Sequence, residues 1–104
     1  MKPAKDADRN FLFEAILSLK TVDECYLFFE DVCTIKELQS MAQRMLVAKQ
    51  LDANKNYQQV YEDTGVSSAT IGRVNKCLQY GGGGYKIALD RLKERGMTAD
   101  ARDT

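Results

Sequence analysis

One stretch of this 104-residue chain combines hydroxyl, glycine and basic residues at helical spacing. Five residues of this stretch are separated by steps of one, three and four positions, which places them on one face of a helix: Ser68, Ala69, Gly72, Arg73 and Lys76. Small residues let a helix approach the DNA major groove closely, and cations can bind phosphates or guanine edges. The chemistry that this pattern favours is recognition of DNA.

The opposite face of the same helix is apolar. Ile71, Val74 and Leu78 fall at helical spacing and can pack on Val60 of a preceding helix. Gly65 lies between the two helices and can adopt the positive φ that a tight bend needs. The stretch from Asn56 to Leu78 is therefore predicted to be a helix-turn-helix.

Ser67 directly precedes the second helix of this motif. Its hydroxyl can accept hydrogen bonds from the free N–H groups of the first turn, which makes it an N-cap. Those N–H groups and the helix dipole also suit a phosphate. A plainer interpretation stays open: an ordinary αα-hairpin in which Gly65 is a helix cap and Arg73 is a solvated cation.

Catalysis and metal binding are not favoured by the residues present. The chain has no histidine, and it has three cysteines without a CxxC pair, Cys25, Cys33 and Cys77. A zinc site needs closely spaced Cys or His ligands, and a catalytic thiol needs a base. The carboxylates of Glu30–Asp31 and Glu62–Asp63 diverge by about 100° around a helix and cannot act together. We expect no enzyme activity, no metal and no cofactor.

The amino-acid composition indicates the net charge of the protein and the cellular compartment in which it is expected. Cationic and anionic residues number 15 each, although residues 44–80 hold five cations against three anions. This weak positive charge means that useful DNA affinity requires two copies of the motif. The odd number of cysteines fits a reducing cytosol, and no apolar run reaches the roughly 18 residues of a membrane span. A cytoplasmic protein without membrane contact is expected.

Two helices before the motif have more apolar surface than one chain of this length needs. The first carries Phe11, Leu12, Ala15, Ile16 and Leu19, with further apolar residues off this stripe. The second begins at a capping box formed by Thr21 and Glu24 and runs to about Val32. Such helices must be buried on more than one side, which predicts a homodimer. The alternative is that later helices of the same chain cover them.

Short sequence motifs predict where the remaining helices begin and end. A second capping box, Thr34 with Glu37, begins the longest helix, which runs to about Leu51. Its predicted core face carries Leu38, Met41, Ala42, Met45 and Ala48. Gly81–Gly84 is predicted to be a flexible joint before a final helix that stops at Gly96. We expect residues 1–9 and 96–104 to be disordered and residues 10–95 to form one domain.

With these elements placed, the chain resembles the Trp repressor superfamily. It is most similar to the small Trp-repressor-related helix-turn-helix proteins of Gram-positive bacteria. The stretches that carry the resemblance are LFEAILSLKTVDECYLFFEDVCTIKELQSMAQRMLVAKQL, GVSSATIGRVNKCLQYG and YKIALDRL. The resemblance implies an all-α, six-helix chain and an intertwined homodimer in which the N-terminal helices of both copies build one core.

The resemblance also assigns roles in operator binding. It places Ser68, Ala69 and Gly72 where the recognition helix meets base edges. Ser67, Thr70 and Lys76 would then bind phosphates, and Arg73 would touch a base or a phosphate.

The resemblance also implies a small-molecule site, but only some of the residues match those of the family. Thr34, Arg44 and Arg73 match positions that hold the tryptophan corepressor in the family. Val74 replaces a glycine that lies against the indole, and Cys77 replaces a serine. The larger Val74 should clash with an indole, since overpacking costs roughly 1–3 kcal/mol. Tryptophan is not expected to be the effector, no other effector is indicated, and Arg44 could instead form a structural ion pair with Asp63.

The function predicted from the sequence is that of a sequence-specific DNA-binding transcriptional regulator, a repressor. It would read a palindromic operator in the major groove as a homodimer. The alternative is a protein-interaction module on the same scaffold with little DNA binding, which the near-zero charge and the acidic pair Glu62 and Asp63 keep open.

Overall fold

The computed structural model describes residues 6–96, and within that range the chain forms six α-helices and no strand. The helices are α1 (Ala7–Leu17), α2 (Val22–Val32), α3 (Ile35–Asp52), α4 (Tyr57–Thr64), α5 (Ser68–Tyr80) and α6 (Gly84–Glu94). The predicted all-α, six-helix chain is confirmed. The chain divides into an N-terminal unit, Met1–Ser40, and a C-terminal unit, Met41–Thr104. The predicted disorder of residues 1–5 and 97–104 lies outside the described residues.

Local hydrogen bonds explain where the helices of the N-terminal unit begin. Asp6 caps α1 by accepting from the Arg9 N–H at 2.7 Å, so the helix starts before Asn10, the predicted domain boundary. The capping box of Thr34 and Glu37 has both reciprocal hydrogen bonds, at 2.8 and 3.1 Å. The bond from the Thr34 N–H, and to a lesser degree the nearby Thr34 hydroxyl, holds the pKa of the Glu37 carboxyl below its ordinary value, because both favour the charged form.

The capping box of α2 differs in one detail from the prediction. The Thr21 hydroxyl accepts from the Glu24 N–H at 3.1 Å, as expected. The Glu24 carboxylate, however, accepts at 2.7 Å from the N–H of Lys20, one residue before the cap. The helix start is the predicted one, although the reciprocal bond is displaced along the chain.

The N-terminal unit leaves its apolar side chains uncovered. Between residues 6 and 40 no residue is buried, and Phe11 and Leu17 are 78% and 77% exposed. Other large apolar side chains of this unit are exposed as well: Phe13, Val22, Tyr26, Leu27, Val32 and Ile35. The surplus apolar surface inferred from the sequence is therefore present in the folded chain.

The C-terminal unit has a hydrophobic core of its own. Helices α5 and α4 pack together, and α6 packs on α5. The core consists of seven buried residues, Val47, Ala48, Val60, Val66, Ile71, Val74 and Leu89. Met45, Leu51, Leu78 and Tyr85 pack against them and are partly buried. The C-terminal unit thus positions α5 through contacts within its own chain.

The predicted core face of α3 is only partly right. Met41 and Ala42 are exposed, whereas Ala48 is buried as predicted. Val47, which the predicted face did not include, is buried beside it, and Leu51 packs against the core. The α3 helix is apolar over a wide arc, so the sequence pattern fits more than one core-facing direction. The covered part is the one that shares a buried cluster with residues of α4 and α5.

An ionic contact joins α6 to the end of α3. Asp52 accepts from Lys93 Nζ at 2.7 Å and from Lys86 Nζ at 2.9 Å, and its side chain is only 10% exposed. The hydrogen bonds from Lys93 and then Lys86 hold the pKa of the Asp52 carboxyl below its ordinary value. One carboxylate therefore binds two turns of α6.

The connection between α5 and α6 is shorter than the predicted flexible joint of Gly81–Gly84. Gly84 already lies in α6, and Gly81 ends α5 by donating its N–H to the Cys77 carbonyl oxygen at 2.9 Å. A Cβ atom at position 81 would lie only 2.5 Å from that oxygen. Position 81 therefore requires glycine for close backbone approach.

Candidate nucleic-acid interface

The first helix of the predicted motif is fixed at both ends. At its start, Asn56 and Gln59 form a reciprocal capping box with two hydrogen bonds of 2.9 Å. At its end, Gly65 adopts φ 71° and donates its N–H to the Tyr61 carbonyl oxygen at 2.8 Å. Gly65 is thus the left-handed turn residue that the sequence predicts, since other residues adopt this φ only with strain.

The turn contains a hydrogen-bonded hydroxyl that the sequence reading missed. Thr64 Oγ1 donates to the Val60 carbonyl oxygen at 2.7 Å and accepts from the Val66 N–H at 3.1 Å. The signal available in the sequence was a hydroxyl residue directly before the turn glycine, because such residues bond to the backbone two positions on.

Ser67 is the N-cap of α5, as predicted. Its hydroxyl accepts from the Thr70 N–H at 3.3 Å and lies 3.2 Å from the Thr70 hydroxyl. The bond leaves the N–H groups of Ser68 and Ala69 at the exposed end of the helix. Free N–H groups at this position can donate to an anion such as a phosphate.

Helix α5 has one buried and one exposed face. Ile71 and Val74 are 0% and 1% exposed and lie in the core. The side chains predicted to face DNA lie outside the core: Ser67, Ser68, Ala69, Arg73 and Lys76 are exposed, and Thr70 and Gly72 are partly buried. The sequence therefore predicted the buried and the exposed face of α5 correctly.

Gly72 lies in the interior of α5, and no neighbour within the described residues requires glycine at this position. A Cβ atom built at this position meets no atom within 4 Å. Glycine in a helix interior costs roughly 0.5–1 kcal/mol relative to alanine. The open space beside Gly72 is consistent with close approach of another molecule to this face.

Of the five cations between residues 44 and 80, only Lys55 forms an ion pair within residues 6–96. Of the ion pairs in that range, none involves Arg44, Arg73 or Lys76. The suggested pair between Arg44 and Asp63 does not form, because Asp63 instead lies 3.1 Å from Lys55 Nζ. Arg73 and Lys76 are thus available for a polyanion on the exposed face of α5.

The residues of the predicted effector site lie in different environments. Within the C-terminal unit, Arg44 is partly buried, Arg73 and Cys77 are exposed, and Val74 is part of the core. Thr34 belongs to the N-terminal unit, where it caps α3. The side chain of Val74 is thus surrounded by its own chain, which leaves less space beside it than a glycine would.

A cleft of about 390 Å³ opens beside the C-terminal end of α5. Its lining is predominantly apolar and consists of Met45, Cys77, Gly81–Gly84, Tyr85 and Ala88. Of the predicted effector residues, only Cys77 borders it.

Residues 6–96 contain neither a metal-binding cluster nor a membrane-spanning helix. No group of three or more His, Cys, Asp or Glu side chains could hold a metal ion there. No helix in that range is sufficiently long and apolar to cross a membrane.

Helix α4, the turn at Gly65 and helix α5 with its exposed outer face define a helix-turn-helix protein. Comparison with known proteins gives the family. The model of the family described as Trp repressor protein matches residues 7–93, and the chain belongs to that family. The family consists of regulatory DNA-binding proteins, which agrees with the expectation that the chain is not an enzyme.

Individual relatives extend this result. The uncharacterized protein YerC of Bacillus subtilis (strain 168) is 54% identical over 83 residues, which are 80% of each chain. A TrpR-like protein from Eubacterium eligens ATCC 27750 has a solved structure with TM-score 0.81 and 49% identity, covering 90% of this chain and 94% of that one. A crystal structure from Staphylococcus aureus, provisionally named a Trp repressor, has TM-score 0.82 and 43% identity, covering 86% and 89%.

Proposed function

We propose that this protein is a sequence-specific transcriptional repressor that binds a palindromic operator in the major groove as a homodimer. The observation that carries the proposal is the division of α5 into two faces. Ile71 and Val74 anchor the helix in the core, while the opposite face holds small residues and two cations that form no ion pair within residues 6–96. A recognition helix needs both properties, because it must be held rigidly and still enter the groove.

On this face we assign different roles to different residues. Ser68, Ala69 and Gly72 are small and would lie against base edges. Ser67, Thr70 and Lys76 would bind phosphates together with the free N–H groups of the first turn of α5. Arg73 is long enough to reach either a guanine edge or a phosphate.

Two copies of the chain are part of the proposal. The unburied apolar side chains of α1 and α2 give a second copy a surface to cover. Symmetric pairing would present two recognition helices about 34 Å apart, one turn of DNA. Because the net charge of the chain is zero, the second half-site supplies affinity that one copy lacks.

The test begins with selection of bound fragments from a random DNA pool, followed by gel shift at graded salt. Arg73→Ala should weaken binding about tenfold, and a decrease of the salt slope by about one would identify a phosphate contact. Arg91→Ala, which removes an exposed cation from α6 of the same unit, is the matched control and should have little effect. Binding that survives both Arg73→Ala and Gly72→Glu unchanged would disprove the recognition-helix assignment.

We further infer that free tryptophan is not the effector. Val74 fills its position in the core, where a glycine would leave room beside the helix. Calorimetric titration of L-tryptophan is expected to give no binding in the micromolar range, and micromolar binding would contradict the inference.

A protein-interaction module is the competing function. The exposed surface of α4 supports it, because Tyr57 and Tyr61 are exposed beside the acidic Glu62. A stoichiometric protein partner together with no DNA retention at low salt would favour that function over the one proposed.

A further inference from the structure

The Thr64 hydroxyl connects the last turn of α4 to the chain that leads into α5. It donates to the Val60 carbonyl oxygen at 2.7 Å, which fixes the position of its oxygen. The same oxygen accepts from the Val66 N–H at 3.1 Å. Val66 is a buried residue, so its N–H has little access to water and depends on this acceptor.

This bond sets the direction in which the backbone leaves the turn. Gly65 is left-handed, and the next peptide N–H is held by Thr64. That peptide orientation directs the Val66 side chain into the core that also contains Ile71. Ser67 follows immediately and caps α5, so the peptide at Val66 determines where the recognition helix begins.

We propose that Thr64 is a positioning residue for DNA recognition, which orients α5 through the peptide of Val66 and does not itself contact DNA. The inference rests on the function proposed above. Losing the hydroxyl would change the angle of α5 while keeping the positive charges of Arg73 and Lys76 on that helix. Base-edge contacts depend on that angle, whereas the phosphate contribution depends mainly on charge.

The experiment compares Thr64→Val, which is nearly isosteric, with Thr64→Ser, which retains the hydroxyl. For each variant, affinity is measured for a selected site and for an unrelated duplex, at a temperature where circular dichroism shows the chain fully folded. Thr64→Val should lose about tenfold in affinity for the selected site, the factor that one net hydrogen bond represents, with little change for the unrelated duplex. Thr64→Ser should restore the ratio of the two affinities.

A control separates positioning from general destabilisation. Leu89→Val removes one methylene from the core of the same unit, at α6, without touching the turn. It should lower the melting temperature, as Thr64→Val does, and leave the ratio of specific to non-specific affinity unchanged. Amide hydrogen exchange of Val66, measured by NMR without DNA, should become faster in Thr64→Val only.

The outcomes distinguish the two proposals. If the native protein binds no DNA, the proposed function fails, and the exchange of the Val66 amide still reports whether the hydrogen bond exists. If the native protein discriminates between the duplexes and Thr64→Val discriminates equally well, the positioning role is wrong. An equal loss of discrimination in Leu89→Val would also overturn it.

Discussion

The N-terminal and C-terminal units contain similar helices but differ in what they bury. In the C-terminal unit, Val47, Val60 and Ile71 are completely buried within their own chain. In the N-terminal unit no described residue is buried, although α1 and α2 are rich in large apolar side chains. Isolated helices of this length are marginal in water, so a helix of 11 residues needs tertiary contacts.

The difference teaches that the two units are suited to different tasks. The C-terminal unit holds α5 by contacts internal to the chain. The N-terminal unit offers apolar surface, and under the proposed function that surface is covered by a second copy. Four substitutions test this comparison, beginning with the largest expected effect.

Phe11→Asp should have the largest effect. A carboxylate at this exposed apolar position would be buried without a partner in a dimer, which costs about 3–5 kcal/mol. We expect a monomer in sedimentation and a loss of operator affinity of about a hundredfold or more. Asn10→Asp adds the same charge one residue earlier and should leave both properties unchanged. A Phe11→Asp protein that remains dimeric would show that α1 is not part of the interface.

Ile71→Ala addresses the C-terminal unit and should lower the free energy of unfolding by about 3 kcal/mol, because it leaves a cavity in a closed core. Ile87→Ala deletes the same atoms from a side chain that is 53% exposed, and a change below about 0.5 kcal/mol is expected. Urea unfolding followed by circular dichroism measures both. Equal losses in the two variants would mean that the core is not where the structure places it.

Gly72→Ala should change stability and binding in opposite directions. The free energy of unfolding should rise by about 0.5–1 kcal/mol, since alanine is the better helix former and its methyl group meets no neighbour. The same methyl group should hinder close approach to DNA and weaken operator binding about tenfold. Gly84→Ala, in the first turn of α6, is the matched control, because its Cβ also meets no neighbour. Unchanged DNA affinity in Gly72→Ala would remove Gly72 from the interface.

Asp52→Asn should have the smallest effect, a loss of roughly 0.5 kcal/mol at neutral pH, because the paired lysines are half exposed and their ion pairs are screened. The pKa of Asp52 is lowered in the folded chain, so its contribution is present above the unfolded value of about 3.9 and is lost as the pH falls through the folded value. Thermal unfolding of both proteins from pH 7 to pH 2 should show the difference disappear in acid. Asp90→Asn, at the longer 3.8 Å contact, should change stability less.

The start of α3 and the faces of α5 were predictable from the sequence because their causes are local, whereas the start of α1 at Ala7 was not predicted. The capping box of Thr34 and Glu37 is contained in four consecutive residues, and the spacing of Ile71 and Val74 is a property of one helix. The turn at Gly65 was equally predictable, since few residues other than glycine adopt a positive φ. Such features depend on neighbours in the chain.

Other features were not predictable because they depend on distant residues. Val47 rather than Met41 is a core residue because Val47 lies in one buried cluster with residues of α4 and α5. The contact of Asp52 with Lys93 joins positions 41 residues apart. The Thr64 bond was overlooked although it is local, because threonine before a turn is common and its partner, the Val66 N–H, is important only through its burial.

Gly81 has a hydrogen atom where every other residue has a Cβ atom, and this difference determines the path of the backbone between α5 and α6. With the Cys77 carbonyl oxygen 2.5 Å from where a side chain would begin, any larger residue would push the start of α6 outward. Leu89 would then be drawn away from the interior, and both lysine contacts to Asp52 would lengthen. Gly82, by contrast, has open space around it, so natural variants of this protein should tolerate replacement at position 82 and reject it at position 81.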